Sequence, residues 1–364
     1  MRSMKRTVKA WIGRFAPNML ERAIRLRHAF QKTKLQRNIR QTPPLPEEEL
    51  RRWELAPVRQ LDIEITNICN ADCLFCGYQY QQRPHGFIDE TLFQRAVLQF
   101  KKMGGQTLVV SPLVGENLVH KKCLSMLQFA GRQNFDSILF ITNGILLYKT
   151  DLNALLKSGV TAISISMSGF DKEEYQRIYR NRSYDKLMRG VTQLLEANKA
   201  LGHPVTIALQ IRSEAPPYTN LHRPDYQTMI APYVQSDKVQ VNFGAIYDSW
   251  GEMIKPEDLP GPFMKLDTII KDMKIPCYGA FRLKLQYDGK VEVCGCRFTN
   301  KGHPDDLLIG HLNENTLEEI WGGERIKAFR RRFLNDSLPY ICKSCCHYFP
   351  ADRCYDFTST SKGA

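Results

Sequence analysis

The chain reads as an α/β protein built on a parallel sheet. Three observations carry that reading. Strand-like and helix-like runs alternate six times between residues 61 and 245, and such alternation implies right-handed crossovers. The 364 residues, 43% of them hydrophobic, suit one large α/β domain with appendages, or two domains. No apolar run approaches the roughly 18 residues needed to cross a bilayer.

At the N-terminus lies a basic arm. Residues 1–42 hold twelve Lys/Arg against the single acid Glu21, a balance of +11, which leaves only +2 of the total +13 for the rest. Within the arm Trp11, Phe15, Met19, Leu20 and Ile24 recur at helical spacing, with Arg14, Arg22 and Arg25 between them. An amphipathic helix on an anionic membrane surface fits this pattern, as does a helix docked on an acidic partner or RNA, or one packing its apolar stripe on the body. The segment QTPPLPEEEL (41–50) has the composition of a linker. The arm lacks the continuous apolar core of a secretory signal, so a cytoplasmic protein is expected, with the arm as a candidate peripheral membrane contact.

The first strand, within LDIEIT (61–66), runs into a loop carrying Cys69, Cys73 and Cys76, spaced C-x3-C-x2-C, with Phe75 before the last thiol. A helix-like stretch follows at 89–103. Three close thiols cannot complete a four-thiolate zinc site alone. They can hold three irons of a [4Fe–4S] cube and leave the fourth open. Zinc with a distant fourth ligand, or a loop of unpaired thiols, are the alternatives. Further strands fall at 107–111, 137–142, 161–167, 205–211 and 239–245. Helices are expected near 119–132, 151–158, 171–199 and 225–234. Six such repeats can curl into an open barrel or lie flat.

This cysteine spacing resembles the signature of radical S-adenosylmethionine (SAM) enzymes. The resemblance implies a partial (β/α)6 TIM-like barrel, with cofactor and substrate at the C-terminal ends of its strands. It also implies SAM bound at the open iron and cleaved reductively to a 5′-deoxyadenosyl radical, which takes a hydrogen atom from substrate. Candidate SAM contacts then follow along the chain. Gly115 and Glu116 stand where the family carries Gly-Gly-Glu-Pro; only these two match. Asn143 closes the third strand in an Asn-Gly turn, Ser164 and Ser166 share one face of the fourth, and Arg212 ends the fifth as a candidate for the methionyl carboxylate. Phe75 joins this set.

Seven of the eleven cysteines lie from Cys277 onward. Asp288-Gly289 marks a hairpin leading to Cys294, and Cys342-x2-Cys345 is a two-thiolate chelate. The stretch IGHLNENTLEEIWGGERIKAFRRRF reads as a turn and then a helix. This region resembles the SPASM and shorter twitch extensions of radical SAM enzymes. It implies one auxiliary [4Fe–4S] cluster on Cys277, Cys294, Cys342 and Cys345, with Cys296 as a substitute for Cys294. Two cysteine-ligated clusters would need eight thiolates. Structural zinc is the alternative. Cys296, Cys346 and Cys354 remain as candidate hydrogen-atom donors, and Cys123 is expected as a buried helix thiol.

The expected organisation is an arm and linker (1–50), a barrel (51–255) and an auxiliary-cluster domain (256–364). The expected activity is dehydrogenation or epimerisation of a small polar substrate, a sugar or sugar conjugate; maturation of a ribosomally made peptide is the alternative. An electron donor such as flavodoxin or ferredoxin is implied. Nucleic acid is not expected as a partner.

Overall fold

The computed structural model describes residues 17–41, 48, 53–54, 56–234, 236–244, 246–261, 263–267, 269–295, 305–334 and 337–351, with backbone alone for 17–25 and 28. Trp11 and Phe15 of the arm, most of the linker, Cys296 and Cys354 lie outside the described residues.

Six parallel strands stand side by side in chain order: β1 (Gln60–Ile63), β2 (Thr107–Val110), β3 (Ser137–Thr142), β4 (Ala162–Ser168), β5 (Thr206–Arg212) and β6 (Val239–Gly244). The helices between them pack on one side of the sheet. In α2 (Glu90–Lys102), Asp89 caps the first turn through Thr91 N, and Leu92, Phe93, Ala96, Val97 and Phe100 are buried. α3 (Cys123–Gly131) begins on the buried thiol of Cys123. A short α4 (Leu152–Leu156) precedes β4. Leu61, Ile63, Leu108, Val110, Ile163, Ile165, Ile207 and Leu209 face these helices and form the core.

The single helix expected over 171–199 is two, α5 (Lys172–Tyr179) and α6 (Tyr184–Ala200). Arg180 ends α5 in the left-handed conformation at φ 48°, with no Gly or Pro to announce the break. The reason lies in the cysteine loop: Leu74 N–H and Asp72 N–H donate to the carbonyls of Ile178 and Tyr179, at 2.9 and 3.3 Å. The loop thereby satisfies carbonyls that a continuing helix would have used. The helix expected at 225–234 is instead a π turn (Tyr226–Ile230) and a 3₁₀ turn (Ala231–Tyr233).

The C-terminal segment joins the same sheet. β9 (Arg282–Leu285) pairs parallel to β1, β10 (Lys290–Val293) returns antiparallel, and β11 (Leu308–His311) pairs with β10. The full order is β11-β10-β9-β1-β2-β3-β4-β5-β6, nine strands with an open seam between β11 and β6. β11 falls where a turn was expected. Gly289, at φ 98°, turns the hairpin, and a Cβ there would meet His311 at 2.7 Å. The two strands β7 (Ile246–Tyr247) and β8 (Lys265–Leu266) form a separate two-stranded parallel sheet. α7 (Leu317–Gly322), held by a capping box between Thr316 and Glu319, and α8 (Glu324–Arg331) stand where one helix was expected; Gly323 separates them.

Residues 17–41 form one helix, α1. Its last turns dock on the C-terminal segment: Ile39 is buried, Leu35 packs on the core, Lys32 pairs with Asp267 at 2.7 Å and Arg40 with Asp272 at 3.1 Å. Leu26 and Phe30 are 62% and 70% exposed.

Candidate active site

The cysteine loop is braced on both sides. Thr66 Oγ1 accepts from Ile68 N–H at 3.1 Å and donates to Gly86 O at 2.7 Å. The buried amide of Asn67 donates to Pro84 O and accepts from Gly86 N–H, which ties the loop to its own return. Asn70 accepts from Asn143 Nδ2 at 2.7 Å through Oδ1, and from Asn181 Nδ2 at 2.7 Å through its carbonyl. Asn143 Nδ2 also lies 3.9 Å from Cys69 Sγ, so the Asn-Gly turn ending β3 touches the first thiol.

Burial pushes the Cys69 thiol up to about 12, with the nearby Glu116 adding to the rise, and holds Cys76 at about 11. Cys73 lies well above the usual thiol range, again from burial and then from its two thiol neighbours. All three are neutral thiols until a metal displaces their protons. A tetrahedral zinc would hold its sulfurs about 3.8 Å apart. Among the described residues neither cysteine set brings three ligand atoms within 4.8 Å of one another, and only Asp248, Cys346 and His347 do so.

Gly115 approaches the loop so closely that a Cβ would meet Thr66 O at 2.6 Å. The buried Glu116 accepts from Thr142 Oγ1 and Asn143 N, both at 2.6 Å, and from Leu118 N at 3.0 Å. Burial raises its carboxyl above the usual range, although those bonds oppose the shift. Both carboxylate oxygens are therefore engaged in fastening the end of β2 to the end of β3.

Ser164, Ser166 and Ser168 lie opposite Ala208, Gln210 and Arg212 in register, so they share the sheet face away from the helices. Arg212 ends that row. Its guanidinium stands 5.9 Å from the Phe75 ring and 5.5 Å from the Tyr247 ring, and its Nε is buried without a partner among the described residues. Across the ladder sits Gly244, where a Cβ would approach Arg212 Nη1 to 2.8 Å. Phe75 also meets Tyr179 edge-on at 5.4 Å. The structure thus brings Phe75 and Arg212 together, and Asn143 to Cys69.

The same inner face carries buried charges that the sequence reading did not single out. Asp62 lies opposite Lys284, and Lys284 opposite Glu292. Arg282 binds Asp62 at 2.7 and 2.8 Å, and Arg83 grips Glu64 through two bonds of 2.8 and 2.9 Å. Lys284 Nζ donates to Ser111 O at 2.7 Å, and burial lowers its pKa despite Glu64 and Asp62 nearby. Glu292 Oε2 has no partner among the described residues, and burial raises this carboxyl to about 8. The signal was present in L-D-I-E-I, L-K-L-Q and V-E-V. Alternation of this kind normally marks a solvent face; here the polar face lies inside the curled sheet.

Cys277, Cys294, Cys342 and Cys345 line one apolar cavity with Leu307 and Phe333. Gly279 N–H donates to Cys277 Sγ at 3.4 Å and His347 N–H to Cys345 Sγ at 3.3 Å, bonds of the kind that tune cluster thiolates. A Cβ at Gly279 would stand 3.0 Å from Cys294 Sγ. The segment 248–254 touches both cysteine regions: Trp250 Nε1 donates to Phe75 O at 3.1 Å, and Asp248 meets Cys346 and His347. No described helix is long and apolar enough to cross a membrane.

Comparison with known proteins agrees with this geometry. Residues 63–208 match the Radical SAM superfamily model, and residues 277–346 match an iron-sulfur cluster-binding domain, SPASM. GTP 3′,8-cyclase of Aquifex aeolicus is 25% identical over 308 residues, covering 76% of this chain and 93% of that protein. The structure of BtrN in complex with AdoMet and 2-DOIA superposes with a TM-score of 0.51 at 14% identity, over 80% of this chain and 94% of BtrN. SuiB of Streptococcus suis, bound to precursor peptide SuiA, gives 0.51 at 13% identity over 84% of this chain and 75% of SuiB. The chain belongs to the radical SAM superfamily and carries a C-terminal SPASM domain, so its cofactors are a [4Fe–4S] cluster, SAM and auxiliary iron–sulfur chemistry.

Proposed function

We propose that this radical SAM enzyme acts on a small polar substrate bearing a sugar, held against the inner face of the partial barrel. The carrying observation is the charge on that face: Asp62, Glu64, Lys284 and Glu292 are all at most 3% exposed, beside Arg83 and Arg282. A filled TIM barrel packs branched apolar residues there. Buried charges are expensive unless partnered: Asp62 is held by Arg282, Glu64 by Arg83 and Lys284 by Ser111 O, whereas Glu292 Oε2 has no partner among the described residues and would accept a substrate hydroxyl. Relatives described as GTP 3′,8-cyclases agree in kind, since their substrate is a nucleotide.

Cys69, Cys73 and Cys76 would hold the cluster, and Arg212, Ser164 and Ser166 would bind SAM beside Phe75. When bound, cluster and SAM supply the radical that removes a hydrogen atom from substrate. Asn143, through Asn70, fixes the loop at Cys69. Glu116 locks the ends of β2 and β3, which keeps Asn143 in place. Cys277, Cys294, Cys342 and Cys345 would hold one auxiliary cluster, a suitable electron acceptor for dehydrogenation. A flavodoxin or ferredoxin would reduce the first cluster.

The test is anaerobic turnover in deuterated water with separated nucleotide, sugar and peptide fractions, beginning with GTP. Turnover dependent on the nucleotide or sugar fraction supports the proposal, and a product two hydrogens lighter identifies dehydrogenation. An isomer carrying one non-exchangeable deuterium identifies epimerisation. Turnover with the peptide fraction alone overturns the small-substrate reading.

A further inference from the structure

We infer that Asp248, Cys346 and His347 form a mononuclear zinc site, separate from both cysteine sets. Cys346 follows Cys345 directly, yet the two thiols face different surroundings. Cys345 lines the apolar cavity with Cys277, Cys294 and Cys342. Cys346, 4% exposed, turns to Asp248, with Sγ 3.6 Å from Oδ1. His347 Nε2 lies 3.3 Å from the other carboxylate oxygen, and the three ligand atoms fall within 4.8 Å of one another.

The three ligand atoms lie within reach of one small ion, which would draw a single carboxylate oxygen toward both the thiolate and the imidazole. With bond lengths near 2.3 Å to sulfur and 2.0–2.1 Å to nitrogen and oxygen, a tetrahedral zinc sets S···O at roughly 3.5 Å and N···O at roughly 3.3 Å. The donors are a thiolate, an imidazole and a carboxylate, a mixed set that suits zinc over the harder cations. Asp⁻, thiolate and Zn²⁺ sum to zero, which removes the main cost of burying them. Trp250 N–H donates to Asp248 Oδ1 at 2.9 Å and orients the carboxylate. Three protein ligands leave one tetrahedral position for water or a substrate oxygen. Because Trp250 also binds Phe75 O, the ion would fasten the segment over the first cysteine loop to the auxiliary domain. A zinc thiolate carries no S–H, so Cys346 would not serve as a hydrogen-atom donor.

The test is metal analysis of anaerobically reconstituted protein, desalted against a zinc chelator, as wild type and as Cys346→Ser, Asp248→Asn and His347→Gln. About one zinc per chain is expected in the wild type, with affinity reduced at least about tenfold in each variant. Iron content should stay constant. Cobalt substitution should give a thiolate-to-cobalt charge-transfer band that Cys346→Ser removes. Should Cys346→Ser fold poorly, His347→Gln decides, because that side chain is half-exposed. Wild-type protein without stoichiometric zinc or cobalt overturns the site. So does zinc unchanged in the variants, or iron lost in Cys346→Ser, which would make Cys346 a cluster ligand.

Discussion

Arg212 offers the sharpest test of how SAM is held. Its guanidinium is pinned between Phe75 and Tyr247, at 5.9 and 5.5 Å from the ring centres, and its Nε is buried without a partner among the described residues. If it grips the methionyl carboxylate, Arg212→Ala removes one member of a buried, hydrogen-bonded charge pair. Such truncations cost about 2–5 kcal/mol, or roughly 30- to 5000-fold in Kd. Arg212→Lys keeps the charge but loses the fork and part of the stacking. Losing one charge-assisted hydrogen bond of about 1.5–3 kcal/mol gives roughly a 10- to 150-fold loss. The assay is anaerobic equilibrium dialysis of SAM and of decarboxylated SAM against reconstituted protein. Arg212→Ala should weaken SAM strongly and leave the decarboxylated analogue nearly unchanged. Equal losses for both ligands, or no loss for SAM, would refute the assignment. Gly244→Ala should mimic a milder form, since its Cβ would push on Arg212 Nη1 from 2.8 Å.

Other outcomes follow from the same structure. Lys284 is buried, and burial depresses its pKa below the ordinary 10.5, so the unfolded chain holds more protons than the folded one between the folded pKa and 10.5. Stability should therefore rise with pH in that window by about 1.4 kcal/mol per pH unit relative to Lys284→Met; chemical denaturation at several alkaline pH values checks it, and a flat difference opposes it. Replacing Leu26 and Phe30 by Ser should reduce sedimentation with anionic vesicles without lowering Tm, because both are exposed; unchanged sedimentation would rule out a membrane role for this part of α1. Glu116→Ala should destabilise the fold by about 2–4 kcal/mol by stripping Thr142, Asn143 and Leu118 of their acceptor, and thermal unfolding measures it.

Much of the fold was legible because its strands are short apolar runs bounded by helices with their own periodicity. Each of the six barrel strands ends within three residues of its expected limit. What sequence alone missed was set by tertiary contact. The break at Arg180 exists because loop amides take the carbonyls of α5, and nothing local signals it. β11 needs β10 beside it to be a strand. The buried charges of β1, β9 and β10 looked like a solvent face until the sheet curled around them. The cysteine sets were readable because metal ligation is encoded in spacing, whereas the group at Asp248 joins residues 98 positions apart.

The most direct measurement is iron content together with 5′-deoxyadenosine formation, compared between wild-type protein and the triple variant Cys69→Ala, Cys73→Ala, Cys76→Ala, after anaerobic reconstitution and reduction. Wild type should hold about eight irons, four per cluster, and the triple variant about four. The variant should form no 5′-deoxyadenosine. Protein that takes up no iron at the first cysteine set, or a triple variant that still cleaves SAM, would contradict the assignment.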